Sequence, residues 1–525
     1  MAEAGRRHAV LVGAGILCSR IFGLVRQRVF SHYFGLSDIA DVFSSALRVP
    51  NFLQNLFGEG VLSASFIPVY ARLLAQERQE DAGKLAGAIA AILAVGISII
   101  VAIGVVATPW LLWIIAPGYT GDKRELTILI VRILFPGTGI LVWSAWCLGI
   151  LNSHHKFFLS YAAPVVWNLS MIATLLVFRN LPQERLIVYL AWGTVLGCLL
   201  QFLVQLPSVL KLVPHMPLRL DWRNAHVQQV GGSFMSVAVG RGVVQISAFV
   251  DQAISTLLGS GAMAAITTAA SVNMLPVSLF GMAISASELP TLSRMVGEGL
   301  DGDTKDKLSA RLNDGLERIA FFIIPSAMAF LALGNVIVAA LYQSGQFTSH
   351  DSRYVWAILA GSGIGLLAST SGRLYASTYY AMRDTRTPLR FALVRLAVTA
   401  ALGLASALLL PGWLGVDPKW GAAGLTASAG VAGWIEFHLL RSKMNRLLKP
   451  TGVSMGIMVR LWVAACVAAV LACAVEYVTP AYGPIPTAIY VLGVYGVIYF
   501  AVTWMLRIKE CEELLGKLLR RAGVR

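Results

Sequence analysis

LAGAIAAILAVGISIIVAIGVVATPWLLWIIAPGYTG, from Leu85 to Gly121, runs without a single charged side chain. A helix rises about 1.5 Å per residue and needs roughly 20 mostly apolar residues to cross a bilayer core, so this stretch is long enough to span a membrane. Comparable stretches recur to the end of the chain. Over 525 residues, 57% are hydrophobic and only 13% are charged, with a mean hydropathy of +0.71. A soluble globule of this size would need more polar surface, so lipid must cover much of the chain.

Working outward by hydropathy predicts an all-α integral membrane protein of about fourteen transmembrane helices. They fall near 8–33, 38–74, 85–115, 127–151, 157–178, 186–210, 227–257, 263–292, 319–343, 354–382, 391–410, 420–440, 454–476 and 484–506. The first apolar segment carries Arg20, Arg26 and Arg28 where a cleavable signal peptide would have a short uncharged core, so it reads as the first helix itself.

The formal net charge of +15 suggests nucleic acid in a soluble protein. Here location decides otherwise. With alternate loops assigned to opposite sides, one side collects 27 Lys and Arg and the other six. The positive-inside rule then places both termini in the cytoplasm, and a charge spread over many short loops disposes of a nucleic-acid partner. The six cysteines (Cys18, Cys147, Cys198, Cys466, Cys473, Cys511) show neither metal-ligand spacing nor a disulfide framework and read as packing residues.

Ser63-Ala-Ser-Phe-Ile-Pro-Val-Tyr-Ala-Arg-Leu73 reappears as Ser285-Ala-Ser-Glu-Leu-Pro-Thr-Leu-Ser-Arg-Met295, an offset of 285 − 63 = 222. The matching Ser, Ala, Ser, Pro and Arg fall at the same end of the second helix in each set of six. A duplication of six helices keeps its orientation and predicts two pseudo-symmetric lobes related by an axis along the membrane normal, with substrate between them. The expected division is 1–215 for the N-terminal lobe, 216–450 for the C-terminal lobe, and 451–525 for two appended helices and a basic tail.

Nine basic residues remain inside or at the edges of these spans: Arg20, Arg26, Arg28, Arg48, Arg132, Arg241, Arg373, Arg395 and Arg460. Arg20 lies about 18 Å into the first helix, Arg48 about 15 Å into the second and Arg241 about 20 Å into the seventh. A central arginine costs roughly 2.5–3.5 kcal/mol to insert, so it should face a watery cavity or a partner. Asp41, Glu59, Asp251, Glu288 and Glu436 are too few to neutralise all of them. The surplus argues for an anionic ligand. Guanidinium suits phosphate because its planar fork donates two hydrogen bonds and keeps its charge. Arg20, Arg26, Arg48 and Arg241 are expected to face the ligand, whereas Arg28, Arg395 and Arg460 are expected to snorkel to an interface. Pro50, Gly58 and Gly60 interrupt the second helix, as a hinge or as a packed kink.

These residues resemble the lipid II flippase family of the MurJ or MviN type, within the wider multidrug, oligosaccharidyl-lipid and polysaccharide (MOP) exporter group. The resemblance covers nearly the whole chain. It is carried by Ser19-Arg-Ile-Phe-Gly-Leu-Val-Arg-Gln27, Asp41-Val-Phe-Ser-Ser-Ala-Leu-Arg-Val-Pro-Asn51, Phe57-Gly-Glu-Gly-Val-Leu-Ser-Ala-Ser-Phe-Ile-Pro68, Ala116-Pro-Gly118, Gly149-Ile-Leu-Asn-Ser153, Gly345-Gln-Phe-Thr348 and Tyr379-Tyr-Ala-Met-Arg-Asp-Thr-Arg-Thr-Pro388. It implies a monomeric flippase of the bacterial inner membrane. Such a protein moves undecaprenyl-diphosphate-linked disaccharide-pentapeptide (lipid II) to the periplasmic leaflet by alternating access, for peptidoglycan synthesis and cell shape. The resemblance places Arg20, Arg26 and Asp41 in the functional cavity, matches Glu59 to an acidic residue of the second helix, and expects a basic residue at Arg48 and Arg373. The appended helices would help form a groove for the polyprenyl tail. Asp251 lies where some members help bind sodium, although a structural hydrogen bond or pairing with Arg241 fits it equally. Gln54, Asn55 and Ser271 depart from the pattern, since many members carry arginine there, and Arg241 is the expected replacement.

The chain has no P-loop, metal-ligand cluster or nucleophile-base pair, so no enzyme and no further cofactor is expected, and His154 and His155 read as a solvated loop pair. Two other readings stay open. An exporter of other polysaccharide-lipid intermediates or of drugs should line its cavity with acids if its cargo is cationic. A membrane scaffold would need its arginines only for pairing and snorkelling.

Overall fold

A computed structural model describes residues 2–57, 59–297, 301–479 and 482–521; the side chains of 2–14, 16, 49–50, 53–57, 59, 236–248, 286, 290, 297 and 517–521 lie outside that description. Gly58 therefore lies outside the described residues, as do the side chains of Pro50, Glu59 and Arg241.

Two compact units divide the chain at Ala264/Ala265. The first contains α1 (Ala2–Phe34), α2 (Asp38–Phe57), α3 (Glu59–Ala75), α4 (Gln79–Ile115), α5 (Gly121–Ser153), α6 (Phe157–Val177), α7 (Gln183–Leu212), α8 (Ala225–Thr256) and the start of α9 (Ala262–Pro276). The second continues from α9 through α10 (Ala283–Gly297), α11 (Gly302–Ala332), α12 (Gly334–Tyr342), α13 (Ser349–Ile364), α14 (Leu366–Ala381), α15 (Arg386–Leu404), α16 (Leu410–Leu414), α17 (Gly421–Leu447), α18 (Met455–Val478), α19 (Pro484–Met505) and α20 (Lys509–Arg521). The contact boundary follows packing, since α8 lies on α3 and α4, whereas the expected division at 215/216 follows topology.

Among the described residues nine helices are long and apolar enough to cross a membrane, or ten with α13 and α14 counted as one bent span. The remaining expected spans coincide with α1, α2 with α3, α8 and α17. In α17 glycines, Glu436 and His438 dilute the apolar character.

In the second repeat-related span the π-helical turn Val277–Met282 separates α9 from α10, at the position (58 + 222 = 280) that the repeat offset aligns with Gly58. α13 and α14 meet at 43° around Gly365. A Cβ at Gly365 would come within 2.4 Å of the Gly430 backbone, and Trp434 Nε1 donates to the Ile364 carbonyl at 2.9 Å.

Several motifs prove to be turn chemistry. Gly345 sits at φ +58°, and Thr348 caps α13 in a capping box with Asp351. Asp384 accepts from the Arg386 and Thr387 amides at the entry to α15. Although burial alone would raise it, these hydrogen bonds and Lys443 hold its carboxyl below the usual range.

Candidate functional site

Asp38, Asp41, Ser45 and Arg48 are spaced three, four and three residues apart, which lines them along one side of α2. Neighbouring segments of the first unit answer each in turn. Lys123 Nζ lies 2.6 Å from Asp38 and 2.9 Å from Asp41, and it stands 4.4 Å over the Tyr119 ring. The backbone amides of Gly261 and Ala264 both donate to Asp41 at 2.8 Å, so the carboxylate caps the first turn of α9. Tyr119 and Ser45 share a hydrogen bond of 2.8 Å, and Gln252 Nε2 donates to the Ser45 carbonyl. Arg48 has an electrostatic partner in Asp251 of α8.

Only glycine fits at two points of this cluster. A Cβ at Gly118 would lie 2.0 Å from the Thr256 carbonyl oxygen, which accounts for Ala116-Pro-Gly118. Gly261 has φ +80° and abuts the Leu36 carbonyl. Asp41, expected as a cavity or gating carboxylate, is closed from solvent with its side chain 1% exposed.

The other arginines divide by partner. Pro109 in α4 has no N–H for the Val105 carbonyl, and Arg132 of α5 donates to that carbonyl at 3.2 Å. Arg124 donates to the carbonyl of Pro109 itself at 2.9 Å. Arg26 stacks 5.2 Å from the Trp167 ring centroid of α6. Arg20 is exposed and has no hydrogen-bond or ion-pair partner among the described residues.

In the second unit, Arg395 of α15 does not snorkel as expected; it pairs with Glu436 of α17 at 3.1 Å. Arg373 of α14 feels both charges, so two cations share one carboxylate. Counted from the nearer helix end, Arg373, Arg395 and Glu436 all lie about 10–17 Å along their helices. Arg460 is exposed, as snorkelling requires. Glu288 is neutralised by a two-pronged contact with Arg311 at 2.6 and 3.1 Å.

Ser271, where the resemblance expects arginine, hydrogen-bonds Tyr342 at 2.8 Å and the Thr268 carbonyl. His154 is half-buried, whereas His155 is exposed. Its Nε2 lies 3.1 Å from the Tyr70 hydroxyl, and burial, then the neighbouring His155, pushes its pKa down.

Sequence reasoning missed Lys123, Tyr119, Gln252 and Thr256. The polar stripe of α2 was the available signal, since a buried row of polar side chains needs polar partners.

The family model described as "Lipid II flippase MurJ" matches residues 30–498. A protein named lipid II flippase MurJ in Burkholderia cenocepacia is 31% identical over 442 residues, covering 83% of this chain and 82% of the relative. A probable lipid II flippase MurJ from Bdellovibrio bacteriovorus is 32% identical over 462 residues, covering 86% and 84%. Among solved structures, a lipid II flippase MurJ in an inward closed conformation superposes with a TM-score of 0.77 at 21% identity, covering 95% of this chain and 99% of that one. An inward-facing multidrug resistance MATE family transporter of the MOP superfamily gives 0.67 at 17% identity, covering 82% and 95%.

Proposed function

The chain belongs to the lipid II flippase MurJ family, and on that premise we propose that it carries lipid II across the bacterial inner membrane by alternating access. In this reading it acts as a monomer with both termini cytoplasmic. The observation that supports the reading is the division among the arginines. Arg124, Arg132, Arg311 and Arg395 are spent on helix carbonyls or on carboxylates. Arg20, near the middle of the first span, is left to meet an anion.

A diphosphate that entered beside α1 would find the guanidinium of Arg20 open to it and that of Arg26 held by Trp167. Arg48 would join only by leaving the field of Asp251, and the exchange of one anion for another offsets much of the cost of moving that charge. In the second unit Arg373 and Arg395 carry one more positive charge than Glu436 cancels. No bond is made or broken in the substrate, so the reading needs no catalytic residue.

Sodium at Asp251 would compete with Arg48 for that carboxylate, and no step of the cycle is routed through it. Replacing sodium with choline in vesicles separates the two. Loss of transport assigns the site to sodium, and retention assigns it to Arg48.

The deciding experiment is complementation in a strain depleted of its own flippase, read out by lipid II accessibility at the periplasmic face. The chain should restore export and Arg20→Ala should abolish it. Failure of the unaltered chain would overturn the substrate, and full activity of Arg20→Ala would overturn the role of the arginine.

A further inference from the structure

The link between α7 and α8, Val213-Pro-His-Met-Pro-Leu-Arg-Leu-Asp-Trp-Arg-Asn224, contains neither helix nor strand. It is nevertheless held in place. A Cβ at Gly83 would lie 2.2 Å from the His215 carbonyl oxygen, and one at Gly87 would lie 2.2 Å from that of Pro217, so the link runs in a groove cut by two glycines of α4. Met216 packs on the first unit's core. At its far end Asp221 accepts from the Arg223 and Asn224 amides, and Gln228 donates to the Trp222 carbonyl.

The groove fixes depth. Lys84 is the last charge before the apolar run of α4, and Gly87 lies about 5 Å beyond it along the helix. The link therefore passes at the boundary of the hydrocarbon. From there apolar and charged residues alternate strictly. Leu218, Leu220 and Trp222 are 63%, 51% and 59% exposed, and Arg219, Asp221 and Arg223 between them are exposed as well. From Leu218 to Asp221 the chain is free of turns, so successive side chains point to opposite sides, and Trp222 and Arg223 follow in a turn. Apolar groups on one side and two arginines on the other suit the junction of acyl chains and anionic headgroups, where tryptophan is also favoured.

We propose that residues 218–223 form an interfacial strap. Leu218, Leu220 and Trp222 enter the leaflet, and Arg219 and Arg223 bind the phosphates of an anionic phospholipid surface. Asp221 offsets one of these two charges and leaves the strap a net positive charge, with its Oδ1 turned to the backbone to accept from the Arg223 and Asn224 amides. The strap stands apart from the transport reading, since it involves none of the residues assigned to substrate.

Nitroxide labels at single cysteines from 218 to 223 test it in vesicles of phosphatidylethanolamine and phosphatidylglycerol. The background carries Cys18→Ser, Cys466→Ser and Cys473→Ser, and leaves the buried Cys147, Cys198 and Cys511 in place. The ratio of oxygen to nickel-chelate collisions should be several-fold higher at 218, 220 and 222 than at 219, 221 and 223. Uniform access to nickel, or uniform shielding from both reagents, would overturn the strap. A fluorophore on Leu220→Cys should be quenched more by brominated phosphatidylglycerol than by brominated phosphatidylcholine, and that preference should fall by about fivefold for each arginine changed to glutamine. Equal quenching by the two lipids in the unaltered link would overturn headgroup recognition.

Discussion

In the first unit the carboxylate of Asp41 gathers two backbone amides and an ammonium within 2.9 Å and is closed from solvent. In the second, Glu436 holds one guanidinium at 3.1 Å beside another, and the pair stays 17% and 40% exposed. Both are acid-base clusters on membrane helices, yet they differ in what remains after pairing. Around Asp41 every strong donor has an acceptor, so the cluster fixes α2, α5 and the start of α9 to one another. Around Glu436 a positive charge is left over, which is useful only if an anion arrives. The difference separates a cluster closed by its own partners from one that keeps a surplus cation.

The comparison breaks most directly at Asp41. Asp41→Ala leaves two backbone amides without an acceptor and Lys123 with Asp38 alone, and should cost about 3–5 kcal/mol, read as a drop in the detergent-solubilised Tm. An unchanged Tm would mean that the cluster is not sealed. Gly118→Ala drives a methyl group into the Thr256 carbonyl and should cost about 1–3 kcal/mol in the same assay.

Tyr499→Phe tests the counterpart of Arg132 in the second unit. Pro325 frees the Phe321 carbonyl of α11, and the Tyr499 hydroxyl donates to it at 2.7 Å, so removal should cost about 1–2 kcal/mol. Arg395→Ala should cost less than Asp41→Ala, because Arg373 stays in electrostatic range of Glu436, while transport falls. Equal losses of stability at Arg395 and Asp41 would erase the distinction between the two clusters.

The smallest effect belongs to His154. Because its folded pKa lies below its unfolded one, the unfolded chain binds the extra proton, so stability should be full above about pH 6.5 and decline below it. His154→Gln should flatten the Tm profile between neutral pH and about pH 5.

Much of the candidate site could be read in the chain. Arg20 and Arg373 stand exposed, and Ser271 shares a hydrogen bond with Tyr342. Arg395 and His154 were misread, since their partners, Glu436 and Tyr70, lie 41 and 84 residues away. Arg132 had no legible role because its partner is a carbonyl exposed by a proline on another helix. Neither a proline gap nor a carbonyl direction on a neighbouring helix leaves a mark in local periodicity.

Hydropathy, the alternation of basic loops and the repeat at an offset of 222 fix a multi-span helical membrane protein with duplicated broken helices. These properties are summed along the chain, and the solvent imposes them segment by segment. The tertiary structure alone decides which charges are spent. The arginines look alike in sequence, and only the neighbours brought beside them distinguish Arg132, closing a proline gap, from Arg20, still open to an anion.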